Sequence, residues 1–201
     1  MLEVLTNPNG FFHKKINDEV EMKTPLMIMA VLAVISAISA VLVIQKTMEL
    51  LPPEAAPFAS IGMILGVIGA IIGTIIMWVI YTGAFYIISM FFGGDGNFKR
   101  LLEFSSYGFI PSMASGLLST YYTIDLFDKI DFNNPEMIEQ TLTADPSMKI
   151  ATVIGLIFLL WSANIWVFAI SYARNISVKN AAITVGLPVL LYMLYTVSQF
   201  F

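Results

Sequence analysis

The chain has 201 residues, 58% hydrophobic and 12% charged, with a mean hydropathy of +0.82 and a net charge of −4. A typical soluble domain carries about 25% charged residues, so half that share, with the apolar residues in long blocks, excludes an ordinary soluble domain and indicates an integral membrane protein. There is no cysteine, which excludes disulfides, thiolate metal ligands and a cysteine nucleophile.

Charge-free intervals organise the chain, because a helix needs about 20 apolar residues to cross a hydrocarbon core of about 30 Å. A polar leader, 1–24, holds His13, Lys14 and Lys15 and reads as cytosolic and interfacial. Helix one is expected over 25–44. It is not a cleavable signal, being longer than an h-region of about 7–15 residues and preceded by four acids. The interval 55–94 has forty uncharged residues and could hold two crossings. Its middle, AIIGTIIMW, offers no Pro, Asn, Asp or charge for a turn, and lipid does not tolerate unpaired backbone. One long helix over about 61–92, tilted or protruding, is therefore expected. Gly62, Gly66, Gly69 and Gly73 form a small-residue stripe that lets backbones approach. Its expected partner is the Ala33–Ala37–Ala40 face of helix one.

The stretch MFFGGDGNFKR follows. A P-loop needs G-x-x-x-x-G-K-[ST], and a dinucleotide loop needs G-x-G-x-x-G after a strand. Gly94 and Gly96 have no third glycine at the right offset, Arg100 follows Lys99, and the flanks are helices. The better reading is a tight turn: Gly93 and Gly94 end one helix, and Asp95 or Asn97 caps the next. Phe98 then lies in the headgroup layer, with Lys99 and Arg100 facing anionic lipid. Gly93, Gly94, Asp95, Gly96, Phe98, Lys99 and Arg100 are the candidate cytosolic contact turn.

Three further crossings are expected over 104–122, 150–172 and 180–200. Between the first two lies an acidic loop with Asp125, Asp128 and Asp131 at spacing three. Without the EF-hand pattern it reads as a solvated face rather than a metal site. No span holds an ionisable residue in its interior, whereas ion-coupled carriers usually place one there. The polar residues within spans are Asn164 and Ser162. They are read first as interhelical hydrogen-bonding groups. With Pro111, which interrupts its span, they form the candidate intramembrane polar site. His13 is the only histidine, and no carboxylate pair or serine elbow accompanies it, so no enzyme site or cofactor is expected.

Seven of the ten basic residues fall in the leader, the 93–103 turn and the 174–179 link. Positive-inside bias therefore places the amino terminus in the cytosol and the carboxyl terminus outside, in the cell membrane. The fold class is an all-α integral membrane protein. It is expected as a single domain, 1–201, with five transmembrane helices, short connections and one longer acidic outer loop.

NPNGFFHKK, GGDGNFKRLLEFSSYGFIPSM and NISVKNAAITVGLPVLL together resemble the YIP family, the Ypt/Rab-interacting membrane proteins built on a Yip-one domain. The resemblance spans most of the chain and is that of a compact prokaryotic member. It implies five membrane helices and a cytosolic amino terminus, and it offers no catalytic residues to carry over. Eukaryotic relatives bind small GTPases in vesicle traffic. Only 24 residues precede helix one here, which speaks against GTPase binding. The expected function is a non-enzymatic membrane scaffold, organiser or trafficking-type factor, and the alternative is a transporter or permease component for a small or lipid-like solute. Expected partners are membrane lipids and other membrane proteins or a second copy, and no nucleic acid.

Overall fold

A computed structural model of the chain describes residues 2–48, 56–130 and 145–199, the side chains of 56–60 excepted. Among the described residues there are eight helices and no strand: α1 Glu3–Thr6, α2 Pro8–Lys15, α3 Lys23–Met48, α4 Ala56–Met90, α5 Phe98–Tyr107, α6 Ile110–Lys129, α7 Pro146–Arg174 and α8 Val178–Ser198. Four are long and apolar enough to cross a membrane: α3, α4 over Ile61–Met90, α7 and α8. The forty-residue interval forms a single helix, α4, since nothing in it breaks the backbone ladder.

The expected third crossing over 104–122 is corrected: it is not one helix. It divides into α5 and α6, and the five-helix bundle becomes four long apolar helices plus this broken pair. Proline is the cause. Pro111 has no N–H, and its ring would meet the carbonyl of Tyr107 four residues back, so a helix cannot run through. α5 ends at Tyr107, two short i→i+3 bonds carry Gly108 and Phe109 through the joint, and α6 starts with Pro111 in its first turn. α6 is also less apolar than the spans, since Ser112, Ser115, Ser119, Thr120 and Thr123 interrupt it.

α3 packs between α4 and α6, α6 lies between α3 and α7, and α8 packs on α7. Hydroxyls tie the first three together: Thr74 pairs with Ser36 at 3.4 Å and Thr120 with Ser39 at 2.7 Å. Elsewhere α4 presents Ile61, Leu65, Ile68 and Ile72 outward, as expected of a helix in lipid, where apolar side chains lose nothing by facing out. The buried core concentrates at one end. There α1, α2 and α5 close over the bundle around Phe12, Phe85, Phe104 and Trp166.

The glycine stripe of α4 does not act as one seam. A Cβ at Gly66 would run into the Ile44 tip, whereas one at Gly62, Gly69 or Gly73 would meet nothing within 4 Å. The close approach on α3 is thus to Ile44, while Ala33 is buried and Ala37 and Ala40 are half-buried. A much tighter glycine than any in the stripe lies at the α5–α6 joint. A Cβ on Gly108 would collide with the Trp166 indole, which is 2% exposed and donates from Nε1 to the Ser105 carbonyl at 2.9 Å. Held by that bond, the ring has nowhere to turn. Gly108→Ala should cost about 1–3 kcal/mol, as overpacking does, while Gly69→Leu should stay within about 0.5 kcal/mol. Thermal midpoints in detergent compare the two, and equal midpoints would remove the Trp166–Gly108 contact from the account.

Candidate functional site

The candidate turn lies at the closed end, between α4 and α5. α4 stops because Gly93 takes φ +76°, a left-handed conformation that favours glycine. Gly94 N–H then returns to the Ser89 carbonyl at 3.0 Å. Asn97, not Asp95, caps α5, its side chain accepting from Lys99 N–H at 2.7 Å.

The turn is fixed from outside by the end of α7. Arg174 is 2% exposed, and its guanidinium lies 4.1 Å from the centre of the Tyr86 ring. Its Nε donates to Ser89 Oγ at 2.9 Å and its Nη2 to the Gly94 carbonyl. The Arg174 carbonyl in turn accepts from Asp95 N–H at 3.2 Å. Asn175 follows at φ 53° and ends α7. Gly96 sits so close to this end that a Cβ would strike the Ala173 carbonyl. The glycines therefore serve backbone-to-backbone packing, and what the turn leaves exposed is Phe91, Asp95, Asn97 and Lys99. Phe98 and Arg100 are half-buried.

Arg100 faces inward to Glu103, which is fully buried on α5. Arg100 Nη1 reaches Glu103 Oε2 at 2.9 Å, and Lys15 Nζ of α2 lies 3.1 Å from Oε1. Arg100 Nη2 also donates to the Asp18 carbonyl. A buried carboxylate stripped of a partner costs several kcal/mol, so Glu103 fastens the leader to α5. α2 itself begins at the Asn7 cap and seats Phe12 against Phe104, ring centres 4.9 Å apart. The leader also lies along α7, where Trp161 Nε1 donates to the Leu5 carbonyl at 3.0 Å and Tyr172 Oη to Asn9 Oδ1 at 2.8 Å. Sequence reasoning missed Glu103, Lys15 and Arg174 as a structural set. The available signal was an acid placed three residues after Arg100, at the edge of a charge-free interval.

The intramembrane candidates are not brought together. Ser162 is fully buried with its Oγ unpartnered, Asn164 is exposed on another face of α7, and Pro111 is buried in the first turn of α6. A separate cavity of about 350 Å³ opens between α6, α7 and α8, lined by Ser112, Ser115, Ser119, Thr152 and Tyr192 among others, without Asn164. At the opposite end of the bundle Asp128 pairs with Lys46 at 2.7 Å, and Asp125 with Lys129 at 2.6 Å. Asp131, Glu136 and Glu139 lie outside the described residues. Among those described, no group of three or more His, Asp or Glu side chains could hold a metal.

Burial alone would lower the Lys15 pKa. The hydrogen bond and charge of Glu103, with Tyr107 and Glu21 adding to it, outweigh burial and hold it above the ordinary lysine value of 10.5. Its stabilising contribution is then complete below pH 10.5 and is lost as pH rises through the higher folded value. Limited proteolysis of the leader should show it docked up to about pH 10.5 and released above. Lys15→Arg, which keeps its charge, should remove that alkaline step. An unchanged step in Lys15→Arg would place the titration elsewhere.

A match to the Yip1 domain covers residues 2–199. An uncharacterized protein of Methanocaldococcus jannaschii is 34% identical over 119 residues, 59% of this chain and 84% of the archaeal one. No solved structure matches. With its locked glycine turn, docked leader and apolar helices, and with a family match over nearly its whole length, the chain belongs to the Yip1 domain family of multi-pass membrane proteins.

Proposed function

We propose that the chain is a non-enzymatic membrane scaffold or organiser of the trafficking type. Its contact surface is the turn at the closed end, which faces the cytosol. One observation carries this reading. The turn backbone is fixed by Arg174, and from that fixed frame Phe91, 84% exposed, stands out with exposed Asp95 and Lys99. A rigid display loses little conformational entropy when a partner binds. The charged groups nearest the bundle interior are engaged in holding the chain together: Glu103 with Lys15 and Arg100, and Arg174 with Ser89 and Gly94. α6 completes a fifth crossing, with its Thr120 hydroxyl paired to Ser39 of α3, and the chain acts as one membrane domain. Lys14, Lys15, Lys23, Lys99, Arg100, Arg174 and Lys179 at one end support a cytosolic amino terminus in the cell membrane.

The second reading, a permease component for a small or lipid-like solute, is favoured by the cavity between α6, α7 and α8. The two separate in one set of membranes. The chain has no cysteine, so Asp95→Cys and Lys149→Cys each carry a single label. An impermeant maleimide should reach position 149 in intact cells and position 95 only after lysis. A photoreactive maleimide at position 95 should then give discrete protein adducts. Lipid adducts alone, or saturable tracer flux in sealed proteoliposomes, would contradict the scaffold reading.

A further inference from the structure

The cavity between α6, α7 and α8 carries an inference of its own. Its lining on α7 runs from Met148 to Trp166, about 27 Å of helix rise. A volume of about 350 Å³ is that of roughly a dozen water-sized groups. Spread along such a length, it is a slot one chain wide rather than a chamber for a compact solute. One end is closed by aromatic rings, with Tyr81 stacked on Trp166 at 5.7 Å and Phe109 edge-on to Trp166 at 5.2 Å. α6 and α8 both pack on α7 but hardly on each other. The remaining side therefore faces outward between them, and Tyr192, 51% exposed, stands on that rim.

The wall chemistry is specific. Among the described residues no Asp, Glu, Lys, Arg or His lines the slot, so a charged ligand there would be buried without a counter-charge from them, at a large cost. Yet the wall is not apolar. Ser112, Ser115 and Ser119 recur at +3 and +4, so they share one face of α6. Among the described residues none of these three hydroxyls makes a side-chain hydrogen bond. On the same helix Thr120 and Thr123 do, bonding back to the Gly116 and Ser119 carbonyls at 2.8 and 2.9 Å. Across from the serines, Gly155 keeps the wall low: a Cβ there would lie 3.7 Å from Ser115 Oγ. Ser162, whose buried Oγ has no partner, lies on the same face of α7 between the lining residues Leu159 and Trp166.

We propose that this slot binds one extended hydrocarbon chain bearing an uncharged hydrogen-bonding head, a hydroxyl or an ester, which enters sideways from the bilayer between α6 and α8. The chain lies along Leu156 and Leu159, and the head takes its hydrogen bonds from the serine row. Such a ligand is a free neutral lipid or one ester-linked chain of a bilayer lipid. The site concerns binding alone and stands independently of the scaffold reading, because occupancy and flux are measured separately.

The test is native mass spectrometry of the full-length protein in a maltoside detergent. Monoolein, oleate and dioleoylphosphatidylcholine serve as probes, the first two sharing one chain and differing in head charge. The expected result is one saturable monoolein per chain, held at least about tenfold tighter than oleate. A similar single adduct of dioleoylphosphatidylcholine that displaces monoolein would make the bilayer lipid the source. Displacement in neither direction would make the free neutral lipid the source. Gly155→Leu should abolish the adduct, while Gly186→Leu, in open space, should leave it. Should Gly155→Leu fail to fold, the triple Ser→Ala variant at 112, 115 and 119, which only removes hydroxyls, should weaken monoolein about tenfold and leave oleate unchanged. Equal binding of oleate and monoolein, or no saturable adduct, would overturn the proposal.

Discussion

A backbone N–H or C=O without a partner is expensive wherever water is excluded, and among the described residues the helical ladder stops inside packed structure at the α5–α6 joint and at the glycine turn. Both are braced by α7. At the α5–α6 joint, Trp166 donates its indole N–H to the Ser105 carbonyl. At the glycine turn, Arg174 donates to the Gly94 carbonyl, and its own carbonyl accepts Asp95 N–H. A second indole, that of Trp78, donates to the Leu102 carbonyl and Ser105 Oγ, both at 3.2 Å. The glycines at these places follow from the same contacts. Gly108 lies under the Trp166 ring and Gly96 against the Ala173 carbonyl, where no side chain fits.

Charge takes the corresponding role for the leader. Glu103 is fully buried and faces two cations from different segments. Its removal would leave both seeking water, while keeping it ties α2 to α5. Among the described residues no acid pairs with Arg174, which is served by a hydroxyl, a carbonyl and the face of Tyr86. Cation–π contact of this kind strengthens as water is removed. The closed end is consequently a platform held by polar groups, and the rest of the bundle is held by side-chain packing, a few hydroxyl pairs and the ion pairs of Lys46 and Lys129 at the opposite end.

The long helices were legible in the sequence because their signal is summed over twenty or more residues, and a forty-residue interval without a turn former became one helix. The turn at 93–97 was legible because glycine and asparagine act locally. The split at Tyr107 was only half legible: Pro111 announced an interruption, but whether it bends or ends a helix depends on what packs at the joint. Here that is Trp166, some 55 residues away, whose indole adds a bond to the Ser105 carbonyl beside that of Gly108 N–H, and no local pattern announces it. The glycine stripe misled for a related reason. Spacing states which residues share a face, while the neighbour that covers that face is set by the whole bundle, and only Gly66 meets one. The serine row on α6 carried a visible period, but its meaning depends on α8 standing apart from α6.

Amide hydrogen exchange of the protein in nanodiscs tests most directly whether α7 fixes the two non-helical joints. The account predicts that Gly94, Asp95 and Gly108 exchange as slowly as amides within the long helices. It also predicts that Arg174→Lys accelerates Gly94 and Asp95 alone, and Trp166→Phe the 105–109 segment alone. Fast exchange of all three amides in the unaltered chain, or no local response to either substitution, would contradict it.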